Sequence, residues 1–179
     1  MGMCLIYYRV SPQNAKTLLN HPPLIHTFLD DEARPPSGSE AKPLADLEAR
    51  PENDEDDTDK AWHAIHYLLT GDAEGGEFPT GFLLSGGQPV GNEDVGYGPA
   101  RIFSPTEVSA IQTALSEHSK QDLMGRYDGP AMDRAGVYPT IWERDGEEGF
   151  EYAWENFVRL KEFIESISSS ADYLLLHLC

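Results

Sequence analysis

The chain sets short apolar runs between long polar stretches, and the spacing inside each run assigns most of them to an element. Residues 3–10, MCLIYYRV, are apolar and aromatic and predict an opening strand. Ser11-Pro12 follows, with Ser at an N-cap and Pro at the first helical position, so NAKTLL reads as a short helix stopped by His21-Pro22-Pro23. In AWHAIHYLLTGD, residues 61–72, Trp62, Ile65, His66 and Leu69 recur at i, i+3, i+4 and i+7 with Leu68 beside them, an amphipathic helix that Gly71 ends. ARIF, residues 100–103, reads as a strand running into Ser104-Pro105-Thr106-Glu107, a capping box that opens a helix with Val108, Ile111 and Leu115 on its apolar face.

A short helix around Lys120–Tyr127 comes next, then a turn region over Gly129–Gly136 and the aromatic stretch VYPTIW. ERDGEEG reads as an acidic loop, followed by a long amphipathic helix over roughly Glu148–Ser168, and Tyr173–Leu178, YLLLHL, as a final strand. Two stretches break the pattern. Residues 30–59 are acidic, proline-rich and nearly free of large apolar side chains, a long solvated loop with one helical turn around Pro43–Ala49. Residues 73–99 are glycine-rich, and within them only GFLLS has the composition of a strand. The sum is a single α+β domain over residues 1–179: a small sheet that includes the N- and C-terminal strands as its central pair, packed with several helices.

Charge narrows the partners. With 31 acidic against 13 basic side chains the chain carries a formal charge of −18. Such a surface repels phosphate backbones and anionic lipid, which argues against nucleic acid and membranes and favours a basic protein partner or a cationic ligand. No apolar run approaches the ~20 residues of a membrane span, and MGMCLIYYRV has neither a basic n-region nor a cleavage site. Cys4 and Cys179 form no disulfide framework, so a reducing cytoplasm is expected, with both as small buried hydrophobes.

No motif specifies a reaction. His63 and His66 lie three apart on one helix, whereas the zinc helix H-E-x-x-H spaces its histidines by four around a Glu. Further ligands would have to come from Asp72, His118 or His26, so no metal site and no cofactor are expected. His66 shares the apolar stripe with Trp62 and should be a core histidine with a satisfied ring, while His63 should be exposed. Asp72 stands at the negative end of its helix dipole, an unfavourable place that suggests either an arginine partner, Arg101 being one candidate, or a ligand. The glycines of residues 85–98 are followed by no lysine and lack the strand–GxGxxG–helix context, so no phosphate loop is present. The candidates for a ligand-binding pocket are therefore Trp62, His63, His66, Asp72, Arg101, Tyr138 and Trp142, and none for catalysis.

Several stretches together resemble one family: the start MGM before an apolar strand, DKAWHAIHYLLTG, GYGPARIFSPTEV, VYPTIW and ENFVRLKEFIESISSSADYLLLHL. They are similar to the YfbM-like bacterial proteins, domain of unknown function 1877, with residues 30–55 the least typical part. The resemblance implies one α+β domain from a bacterial cytoplasm and carries no reaction, cofactor or catalytic residue. It singles out Trp62, His63, His66, Thr70, Gly71, Gly98, Pro99, Arg101, Tyr138, Pro139 and Trp142 as a shared site or a shared core. Taken with the acidity, the expected function is a non-enzymatic binding protein, in one version an immunity-type protein that covers a basic toxin. The rival is a small-molecule pocket, with or without catalysis, around His66, Trp62, Tyr138 and Trp142.

Overall fold

Strand β1, Leu5–Val10, buries residues on both of its faces, as a central strand must. Its partner β5, Tyr173–Leu178, comes from the other end of the chain and runs antiparallel to it, Leu5 opposite Leu178 and Val10 opposite Tyr173. The computed structural model describes residues 2–29, 44–51 and 53–179. Among these, β2 (Glu55–Asp57) joins β1, while β4 (Arg101–Phe103) joins β5 and β3 (Gln88–Pro89) joins β4, giving an antiparallel sheet of order β2-β1-β5-β4-β3. Pro89 sits on the outermost strand, where its missing N–H costs no ladder bond.

The alternation of side chains divides the core in two. Leu5 and Tyr7, Leu174 and Leu176, and Phe103 face the larger cluster. That cluster is closed by α3 (Trp62–Thr70), α4 (Pro105–Ser116) and α7 (Trp142–Ser168), with α5 (Lys120–Met124) and α6 (Gly129–Arg134) at its edge. Tyr8, Val10, Leu175 and Ile102 face the other way, against α1 (Pro12–Asn20) and α2 (Ile25–Leu29). Each large side chain fully buried there contributes roughly 1.5–3 kcal/mol. Both Ser-Pro joins form as the sequence indicates: the Ser11 hydroxyl accepts the Asn14 N–H, and Ser104 with Glu107 completes a reciprocal capping box.

Five expectations change. GFLLS is no strand; residues 79–85 form tight helical turns that bury Phe82 and Leu83. A three-residue apolar run fits a buried turn as well as a strand, and periodicity alone does not separate them. ERDGEEG is not a plain loop: it is helical on either side of a break at Gly146 (φ 50°), a short turn over residues 142–145 leading across the kink into the long helix, both included in α7. The Gly129–Gly136 region holds α6, opened by the Asp128 side chain accepting the Ala131 N–H. The acidic segment contributes β2, since an edge strand pairs through its backbone and leaves its carboxylates to solvent and to basic neighbours: Arg159 meets Asp56, and Arg50 lies 3.4 Å from Glu55. The helical turn expected from Pro43 survives as the Leu44–Leu47 turn, with Pro43 outside the described residues. Neither cysteine is buried: Cys4 is half-buried and Cys179 exposed, because both lie where β1 and β5 run out of the sheet.

Candidate functional site

The helix carrying Trp62, His63 and His66 grips the backbone around it. His63 accepts the Tyr138 N–H at Nδ1 (2.9 Å), which leaves its proton on Nε2, and Nε2 donates to the Ala73 carbonyl (2.6 Å). The imidazole is thus held neutral, and burial lowers its pKa from the ordinary 6.5. Its ring stacks on Trp62, centroids 4.6 Å apart and 3° from parallel, so His63 is half-buried rather than exposed as expected. Fully buried His66 donates from Nε2 to the Gly75 carbonyl (2.7 Å), and its pKa is lowered as well, burial again the main cause. Its Nδ1 has no hydrogen-bond partner among the described residues.

Both histidines therefore fasten the loop that follows their own helix, and Asp72 fastens the same loop from the other side. After the left-handed Gly71 (φ 78°) ends α3, Asp72 Oδ1 accepts the N–H groups of Glu74 and Gly75, each at 2.9 Å. These two donors hold its carboxyl below the usual range. Asp72 does not meet Arg101: its partners are local amides, a turn that offsets its poor position in the helix dipole. A second set of bonds ties in the start of the chain. Trp62 Nε1 donates to the Met3 carbonyl (3.2 Å), and the Met3 N–H to the Tyr138 hydroxyl (3.0 Å).

The remaining candidates lie elsewhere. Trp142 is fully buried at the start of α7, where Nε1 donates to the Val137 carbonyl (2.9 Å) and its N–H to Asp133. Arg101 points its guanidinium at three carbonyls, Phe82 (3.0 Å), Gly86 (2.9 Å) and Leu83 (2.6 Å), and burial lowers its pKa to about 10. It borders a separate cavity of about 310 Å³ with Leu83, Tyr97 and His177. The structure thus brings together Trp62, His63, His66, Asp72 and Tyr138 and leaves Arg101 and Trp142 apart. His26 is with Glu93 (3.3 Å), and among the described residues no group of three metal-ligating side chains forms.

A cleft of about 640 Å³ lies between the 124–130 segment and the first turns of α7. Its floor is Tyr127, Phe150 and Trp142, and its rim Asp128, Glu143 and Glu147, of which only Trp142 stood among the sequence candidates. Two glycines shape it: a Cβ at Gly129 would strike the Trp142 carbonyl, and one at Gly149 would stand 2.7 Å from the Tyr127 hydroxyl. The Tyr127 hydroxyl donates to the Trp142 carbonyl (2.8 Å), fixing floor to wall. Arg126, also at the rim, turns its Nη1 to the Leu68 and Leu69 carbonyls at the end of α3. Asp128, Glu143 and Glu147 form no ion pair among the described residues. Chemically, unpaired carboxylates over aromatic surface suit an ammonium or guanidinium group. The signal in the sequence was D-G-E-E-G-F, acids and glycines inside a helical aromatic stripe.

No curated protein matches this chain. Among solved structures it is similar to a protein of unknown function, YfbM from Escherichia coli, with a TM-score of 0.68 at 16% identity, over 98% of this chain and 99% of that one. That likeness shows a shared fold, α+β with the terminal strands in one antiparallel sheet. Residues 1–177 match the domain of unknown function DUF1877, and the chain belongs to that family.

Proposed function

We propose that this is a non-enzymatic binding protein that receives a basic segment of a protein partner in the cleft between residues 124–130 and the start of α7. One observation carries the reading: three carboxylates that form no ion pair among the described residues, one of them (Asp128) also capping α6, stand over an aromatic floor in a chain of net charge −18. The wider negative field would speed encounter with a cationic partner, and the cleft would supply register by taking one or two Lys or Arg side chains. A basic toxin neutralised in a bacterial cytoplasm is the concrete version. The rival pocket around His66, Trp62 and Tyr138 draws less support, since three of the four imidazole nitrogens there are engaged by backbone groups.

The test is binding of a fluorescent Lys/Arg-rich peptide, followed by anisotropy at low and physiological salt. Glu143→Lys with Glu147→Lys should weaken binding about tenfold or more, whereas the matched swap Glu162→Lys with Glu165→Lys, further along the exposed face of α7, should change it by about threefold or less. Equal losses in the two double variants would reduce the effect to overall charge, and no binding at low salt would remove the reading.

A further inference from the structure

Cys4 and Cys179 stand directly across from each other where the two terminal strands run past their last sheet residues. The Cys4 N–H donates to the Cys179 carbonyl (2.8 Å) and the Cys179 N–H to the Cys4 carbonyl (3.0 Å). Residues that exchange both bonds in an antiparallel pair have Cα atoms about 5.5 Å apart, within the span of about 4.4–6.8 Å that a disulfide bridges, while their Cβ atoms stand wider than a disulfide's about 3.5–4.5 Å, so closure draws the two strand ends slightly together. Opposed side chains of such a pair share a face of the sheet. Both thiols are free, and neither is buried.

We propose that Cys4 and Cys179 are an oxidisable pair that closes into an intramolecular disulfide by exchange with a small-molecule disulfide, clasping the first strand to the last. In the reduced protein the clasp is open, because Cys4 Sγ turns toward Asp59, 3.6 Å from Oδ1, with the Gly2 carbonyl at 3.9 Å. Closure replaces that contact with Asp59 by the bond to Cys179. Partial desolvation and the neighbouring carboxylates Asp59 and Asp57 push the Cys4 thiol up, and partial desolvation and Asp57 push Cys179 up. Both rest as thiols, so the pair is slow to react but strongly nucleophilic once ionised.

The exchange balances in two steps. The exposed Cys179 thiolate attacks one sulfur of glutathione disulfide, forming a mixed disulfide and releasing one glutathione thiolate. The Cys4 thiolate then attacks Cys179 Sγ and expels the second. The protein loses two electrons and two protons, and one glutathione disulfide becomes two glutathione thiols.

What the clasp would hold follows from its neighbours. Met3, beside Cys4, carries the backbone bonds to Trp62 and Tyr138, so a bridge at Cys4 secures the strand end on which those contacts depend. The loop it closes spans nearly the whole chain, the case in which a cross-link removes most freedom from the unfolded state.

The experiment exposes the full chain to excess glutathione disulfide at mildly alkaline pH, folded and in strong urea, and reads intact mass and disulfide-linked peptides. The folded chain is expected to lose two hydrogens, gain no glutathione and yield Cys4- and Cys179-containing peptides linked together. In urea, mixed disulfides should dominate. Asp59→Asn should speed closure several-fold, and the linked form should melt at least about 4 °C above the reduced one. Glutathione retained on both cysteines of the folded chain, a linked dimer, or two thiols surviving conditions that oxidise the unfolded chain would each overturn the pair. A linked form with an unchanged melting temperature would overturn the clasp.

Discussion

Replacing His63 with Phe keeps an aromatic ring against Trp62 and removes two backbone hydrogen bonds at once. The Tyr138 N–H and the Ala73 carbonyl lose partners at 2.9 and 2.6 Å. Each bond is worth about 0.5–1.5 kcal/mol net, and a group left buried without water costs about 1–3 kcal/mol. His63 is half-buried, so water reaches the freed groups in part, and the total should be about 1–3 kcal/mol near neutral pH. With a urea slope of about 2 kcal/mol/M for a chain of this size, the midpoint should fall by about 0.5–1.5 M. Acid supplies the sharper check. The folded imidazole is neutral and its pKa lies below the ordinary 6.5, so the unfolded state binds more protons. Wild-type stability from this group is therefore full above 6.5 and is lost as pH falls from there toward the folded value, while the Phe variant has no such loss. Urea melts read by tryptophan fluorescence near pH 7.5 and near pH 5.5 should show the gap narrowing in acid. A gap that holds constant or widens, or a variant as stable as wild type near neutral pH, would refute the reasoning.

Gly129→Ala should destabilise by about 1–3 kcal/mol in a thermal or urea melt, because the new methyl meets the Trp142 backbone rather than a side chain that can move aside. Arg101→Lys should cost about 1–3 kcal/mol and quicken limited proteolysis within residues 79–87, since one ammonium cannot span the carbonyls of Phe82, Leu83 and Gly86. Equal proteolysis rates would show that the fork does not hold that turn.

The terminal strands were legible because burial on both faces leaves continuous apolar runs, LIYYRV and YLLLHL, that no helix of that length would need. Their pairing followed from the same fact. The caps at Ser11 and Ser104 were legible because capping is local chemistry, read within four residues. The first turn of α7 was hidden by the acids and glycines between Trp142 and Phe150, which do break the helix at Gly146, although Trp142 before the break is buried as Gly149, Phe150, Ala153 and Phe157 are after it. β2 was hidden for the opposite reason, an edge strand needing no apolar side chains. At the site, the helix Trp62–Thr70 and its Gly71 stop were plain, but the partners of His63, His66 and Asp72 are backbone groups of residues 73–75 and 138, and sequence periodicity carries no information about which carbonyl a ring will reach. The cleft was illegible because residues 124–130 and 142–150 meet through tertiary contacts, such as the Tyr127 hydroxyl on the Trp142 carbonyl, that no periodicity announces.

Under the proposed function the Trp62–Gly75 knot is purely structural and a cationic partner is received in the cleft at the start of α7. Amide chemical shifts of the ¹⁵N-labelled chain, followed through a titration with a Lys/Arg-rich peptide, test it most directly. The expected result is that the changes concentrate on Tyr127, Asp128, Glu143, Gly146, Glu147 and Gly149, with His63, His66 and Gly71–Gly75 unmoved. Changes centred on His63, His66 and Gly75, or spread evenly over the acidic surface, would contradict it.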